Sequence, residues 1–278
     1  MRWTPGGRSS NIEDLRGRGI GGGGGLRLGL GGTVILFLLS MFFGRDFFSL
    51  IGVDPAAPTS TGGDAGSIAR EEPEVEFVSF VLDDAQRTWG RTLPEYREAK
   101  LVLFRDAVES ACGFAQSATG PFYCPSDQKV YLDLSFFEEL RKRFGAAGDF
   151  AKAYVIAHEI GHHVQKTVGV ESRVRQLQAS NPRLQNEISV KVELQADCLA
   201  GIWAHSTQQR NLLEQGDVQS ALGAAAAVGD DRLQQQAGRA VSPESWTHGS
   251  SEMRVKWFRQ GFQSGQIDTC DTFQQRNL

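Results

Sequence analysis

The chain has 278 residues, 40% apolar and 22% charged, with a formal net charge of -4. That apolar content excludes a disordered chain, and a mildly negative balance excludes nucleic acid as a main partner, because phosphate contacts need a clustered basic face. The length accommodates one ordinary globular domain plus a substantial extra segment.

In chain order, the first feature is "LGLGGTVILFLLSMFFG", Leu28 to Gly44, which carries no charge. It sits at the low end of the roughly 17 to 25 residues that a membrane-spanning helix needs. Arg2, Arg8, Arg16, Arg18 and Arg27 precede it against only Glu13 and Asp14. The positive-inside bias then leaves the N-terminus in the cytoplasm and exports the remainder. The expected division is a cytoplasmic Gly/Arg-rich segment over 1–27, an N-terminal transmembrane helix over 28–51, a flexible linker over 52–71 and an extracytoplasmic domain over 72–278. The implied location is the bacterial inner membrane, single-pass. A cleaved signal peptide competes with this reading, since "DPAAPTS" offers small residues.

"EVEFVSFVLDDAQRTWGRTL" places Val75, Val78, Val81, Leu82 and Ala85 on one face, as an amphipathic helix requires. "REAKLVLFRDAV" and "KVYLDL" alternate enough to read as two strands, with a cysteine-bearing turn between them. "SFFEELRKRFG" reads as a short helix capped by Ser135 with Glu138 three residues on. A longer helix follows through "AGDFAKAYVIAHEIGHHVQKTVG", with Asp149 as cap and Gly169 as stop. Further helices cover about Asn186 to Ser206, "DVQSALGAAAAVG" and "SSEMRVKWFRQGF". The fold class is α+β, mainly helical, with a small antiparallel sheet.

Four cysteines lie on the side read as exported, where disulfides persist. Gly120 and Pro121 turn the chain back between Cys112 and Cys124, which favours that pair and leaves Cys198 for Cys270. Buried free thiols are the plainer alternative.

The chemistry concentrates in "AHEIGHHVQ", Ala157 to Gln165. Residues four apart on a helix are offset by only about 40°, so His158 and His162 share a face, whereas His163 is turned a further 100° or so. Glu159 follows the first histidine, where its carboxylate reaches the open position of a metal without binding it. A catalytic zinc wants a third protein ligand, and "ELQAD" supplies Glu193, with Asp197 one turn on to accept the other ring N–H of a ligand histidine. Cys198 points away from Glu193. His248, in the loop "WTHGSS", is the candidate donor to a developing oxyanion, with Arg254 and Tyr154 as weaker alternatives. Gly161 inside the helix is explained if a second helix or a substrate must come close there, and is otherwise a neutral helix glycine. "KVYLDL" is either an edge strand for an extended peptide or an ordinary core strand.

These segments, with "MRW", "GRSSNIEDLRG", "CGFAQSATGPFYCPSDQKVYLDLSFF" and "THGSSEMRVKWFRQGF", resemble the neutral zinc metallopeptidase family of YpfJ-like bacterial proteins over nearly the whole chain. The resemblance implies a membrane-anchored zincin similar in core logic to thermolysin. His158, His162 and Glu193 would hold one Zn2+ per chain and Glu159 would act as base. The expected activity is an endopeptidase acting on cell-envelope peptides or proteins. A noncatalytic zinc-stabilised scaffold is the rival, hydrolysis of a non-peptide bond is a third reading, and the oligomeric state is left open.

Overall fold

The computed structural model describes residues 1–17, 65–144 and 148–274. In chain order these form β1 (Ile12–Asp14), α1 (Ala65–Arg70), α2 (Glu72–Thr92), β2 (Lys100–Phe104), β3 (Ala107–Ser110), β4 (Gly113–Gln116), β5 (Phe122–Cys124) and β6 (Lys129–Asp133). They continue with α3 (Ser135–Phe144), α4 (Asp149–Thr167), α5 (Val170–Ser180), α6 (Gln185–Gln209), α7 (Asp217–Ala227), α8 (Asp230–Gln236) and α9 (Ser251–Ser264). The described residues are mainly helical with a small sheet. They fall into two compact units, one of Met1–Pro5, Phe80–Glu98 and Glu139–Leu278, the other of Gly6–Ser79 and Ala99–Glu138.

The second unit holds the strands. Its four-stranded sheet has the order β1-β2-β6-β5, and β3 with β4 forms a separate antiparallel hairpin. The expectation of a small antiparallel sheet is corrected here. β1 with β2 and β2 with β6 are parallel, and only β5 with β6 is antiparallel. Alternation of apolar residues records which face is buried and is silent on strand direction. "KVYLDL" is β6 and lies between β2 and β5, so it is no edge for a peptide. The single strand expected over "REAKLVLFRDAV" is broken at Asp106, whose φ of 64° turns the chain from β2 into β3. Phe122 stacks on Tyr131 at 4.8 Å within a core that also takes Val102, Phe104 and Val108. The expected pairing of Cys112 with Cys124 forms, with Cα atoms 5.8 Å apart. Asp133, rather than Ser135, serves the start of α3: its carboxylate accepts the Ser135 N–H at 2.9 Å.

Helices α4, α6, α7 and α9 pack together in the first unit. Buried Asp84 of α2 accepts the Trp203 Nε1–H at 2.9 Å, and Val81, Leu82 and Ala85 on the expected face are fully buried. A Cβ on Gly161 would lie 2.9 Å from the Ala196 carbonyl oxygen, so the glycine lets α4 approach the backbone of α6. The same holds where α9 crosses α6: a Cβ on Gly261 would meet the Cys198 carbonyl at 1.8 Å. Cys198 pairs with Cys270, as expected once Cys112 is paired with Cys124. Helix α5 was not anticipated; Gly169, read as the stop of α4, adopts φ 78° at the junction and opens α5.

The membrane placement is corrected. Among the described residues no helix is long and apolar enough to cross a bilayer. α2, at 21 residues, carries seven charged side chains between Glu72 and Arg91. The anchor expected over 28–51, including the Leu28–Gly44 run, lies outside the described residues. The segment before it, however, is folded together with the chain beyond residue 64. The Arg2 N–H donates to the Leu212 carbonyl at 2.7 Å and Trp3 Nε1–H to Asp149 at 3.3 Å, while β1 pairs with β2. One crossing between residues 18 and 64 would leave these partners on opposite sides of a membrane, so a single-pass chain with a cytoplasmic N-terminus and an exported domain does not accommodate the fold.

Candidate metal centre

α4 carries His158, Glu159 and His162, and α6 carries Glu193 and Asp197. The four-residue spacing on each helix puts both pairs on the facing sides, and Gly161 against Ala196 sets how near those sides come. The Glu193 carboxylate lies 3.2 Å from His158 Nε2 and 3.5 Å from His162 Nε2. The three donor atoms fall within 4.8 Å of one another. Ligands about 2.0–2.1 Å from a tetrahedral zinc stand roughly 3.3 Å apart, so two imidazoles and one carboxylate in this arrangement fit that ion.

Around this set the ring nitrogens that face away are occupied. His158 Nδ1 meets Asp197 Oδ1 at 2.9 Å. Asp197, with no exposed surface, also takes Arg254 Nε at 2.8 Å and Nη2 at 3.0 Å, and the Tyr154 hydroxyl donates to it. Burial alone would raise the Asp197 pKa, but attraction to Arg254 and then His158 holds it below the usual carboxylate value. Burial likewise disfavours a charged His158 ring, yet Asp197 and Glu193 raise its pKa to about 9. Arg254 and Tyr154 therefore sit behind His158 as its support.

His162 Nδ1 meets Gln165 Oε1 at 2.9 Å. Glu159 is buried, and no donor among the described residues is hydrogen-bonded to its carboxylate; burial raises its pKa. Glu193 keeps a low pKa despite burial because His162 and His158 stand beside it. His163 turns away as helical geometry requires, its Nε2 on the Arg97 carbonyl at 2.6 Å and its ring edge-on to Tyr96.

His248 is held by Asp230, which reaches Nδ1 at 3.0 Å and accepts the backbone N–H of Thr247, His248 and Gly249 at 2.8, 2.7 and 3.1 Å. His248 and Glu193 are near enough for each to shift the other's pKa. Burial lowers the His248 pKa, and the bond and charge of Asp230 more than reverse this, for a net rise above 6.5. Every site residue singled out on the sequence, the Cys112–Cys124 pair aside, thus lies in the first unit. Asp230, Gln165 and Gln195 were missed. Gln165 alone left a trace, three residues after His162 on the same face; Asp230 precedes His248 by 18 residues, for which no spacing rule exists.

The chain is 46% identical to the uncharacterized protein YpfJ of Escherichia coli (strain K12), covering 98% of this chain and 99% of that one. It is 45% identical to an uncharacterized protein of Mycobacterium tuberculosis (strain ATCC 25618 / H37Rv), covering 68% of this chain and 67% of the relative. No solved structure matches. Residues 1–273 match the family described as "Putative neutral zinc metallopeptidase". With that match over nearly its full length, the chain belongs to this zinc metallopeptidase family.

Proposed function

We propose that the protein is a zinc-dependent endopeptidase, with His158, His162 and Glu193 holding the metal and Glu159 as general base. The observation that carries this reading is the convergence of the two Nε2 atoms on the Glu193 carboxylate at 3.2 and 3.5 Å beside the unbonded carboxylate of Glu159. Zinc, when bound, supplies the positive charge that polarises a scissile carbonyl and makes water a nucleophile near neutral pH.

Glu159 takes the proton of the attacking water as its oxygen adds to the carbonyl carbon. It returns that proton to the amide nitrogen as the C–N bond breaks. His248, whose charged form Asp230 favours and whose ring it orients, donates from its other ring nitrogen to the carbonyl oxygen as charge builds there. Asp197 accepts the Nδ1–H of His158 and so leaves the Nε2 lone pair to the metal.

The test uses the full chain: zinc per chain, then cleavage of an unfolded protein with and without chelator, beside Glu159→Gln. The expected result is one zinc in both proteins, cleavage abolished by chelator, and a loss of about 10²- to 10⁴-fold in the variant. Stoichiometric zinc with no cleavage of any polypeptide would replace this reading with the noncatalytic scaffold.

A further inference from the structure

The two histidines of the centre are supported differently. His158 leans on a buried ion pair, whereas the support of His162 carries no charge and crosses three separate parts of the chain. Gln165 Oε1 faces His162 Nδ1 at 2.9 Å, and its Nε2 donates to the Val192 carbonyl at 2.8 Å and to Gln195 Oε1 at 3.0 Å. Gln195 Nε2 in turn donates to the Cys270 carbonyl at 3.0 Å. Both glutamines are buried. The last group is itself fixed, since Cys270 is bonded to Cys198 one turn along α6 from Gln195.

The direction of this chain of bonds is not free. Backbone carbonyls only accept, so Cys270 forces the NH2 of Gln195 outward and its oxygen towards Gln165. Val192 forces the same orientation on Gln165, and the amide oxygen left facing His162 also only accepts. His162 must then carry its proton on Nδ1, which leaves the lone pair of Nε2 towards Glu193. Glu193, 3.5 Å from that nitrogen, pulls the other way, because a carboxylate favours an N–H opposite it. Two neutral amides anchored on two carbonyls decide the contest without placing a second charge behind the centre.

We propose that Gln165 and Gln195 are positioning residues that set the tautomer and orientation of His162, with the Cys270 carbonyl as their fixed end. This rests on the reading of His162 as a zinc ligand. Loss of such a partner typically weakens metal binding by about 10- to 100-fold.

Gln165→Met keeps the length and removes every bond; Gln195→Met removes the anchor but leaves Gln165 on Val192. The buried Gln178→Met, in α5, serves as the control. Zinc affinity is measured on the intact chain by competition with a chromophoric chelator, and the His162 ring is followed by 15N NMR in metal-free protein. The NMR is recorded at a pH where the His162 ring is observed to be neutral.

The expected outcome is an Nδ1–H ring in the wild type and a roughly 10- to 100-fold loss of zinc affinity in Gln165→Met, whose ring shifts towards Nε2–H. The loss is smaller in Gln195→Met, and Gln178→Met is unchanged. An Nε2–H ring in the wild type, or a folded Gln165→Met with unaltered affinity and tautomer, overturns the proposal. Should Gln165→Met not fold, Gln195→Met and the wild-type ring decide it. A wild-type chain that takes up no zinc would overturn the ligand reading instead, while the metal-free tautomer still decides the relay.

Discussion

His248 depends on a neighbour as fully as His158 and His162 do, and its dependence is on charge. Asp230 raises the pKa of His248 above 6.5 against the opposing effect of burial. A group whose folded pKa is raised contributes stability that is complete below its unfolded value and is lost as pH rises through the folded one. The same titration removes the donor proton, so kcat/KM should fall on the alkaline side as His248 deprotonates. In Asp230→Asn that limb moves to lower pH and the rate at neutral pH drops by about 10- to 100-fold, consistent with one weakened general-acid contact. A pH–rate profile with an unmoved limb would remove His248 from the mechanism. The grouping of His158 with His162 and of Glu193 with Asp197 was legible because each pair obeys a four-residue helical interval, and Glu159 directly follows the first histidine. Asp230, Gln195 and the Cys270 carbonyl were not, since hydrogen-bond partners joined only by tertiary packing leave no interval to read.

Between elements, the centre is set by how closely α4 and α6 pass. Gly161→Ala would place a methyl 2.9 Å from the Ala196 carbonyl oxygen and 3.2 Å from its Cα, both backbone atoms that cannot swing aside. Alanine favours a helix by up to about 1 kcal/mol over glycine, but overpacking costs about 1–3 kcal/mol. The expected result is a net loss of stability in denaturant titration and weaker zinc binding, as the Glu193 carboxylate is carried away from the two imidazoles. A stabilised variant with unchanged affinity would show that the helices have room there. The close approach was anticipated from a helical glycine within the histidine motif. The sheet was read less well: its small size was expected, its parallel pairs were not, and β1 was missed altogether. "IED" has too few apolar residues to declare a strand, and its partner β2 comes some 90 positions later.

For the whole molecule, the opening segment matters most. Arg16 is buried, 1% exposed, and is held by Asp14 at 2.7 Å, Glu71 at 2.8 Å and Glu72 at 3.1 Å. Glu71 also takes Arg105 at 2.7 Å, so the segment before residue 18 and the segment after residue 64 meet on shared carboxylates. The expected topology placed 1–27 apart from the folded domain because its arginines read as the cytoplasmic flank of a membrane span; ion pairs inside a protein use the same residues. Deleting residues 1–17 strips the parallel partner from β2 and leaves Glu71 and Glu72 without Arg16, and the thermal midpoint should fall by several degrees. An unchanged midpoint would mean the segment adds nothing to the fold.

Strand pairing and ion pairs tie that opening segment to the chain beyond residue 64, so the two should stay together when the covalent link between them is cut. A chain severed there should travel as one particle under native conditions and separate only in denaturant. The truncated protein should likewise regain its midpoint when a peptide of the first seventeen residues is added in trans.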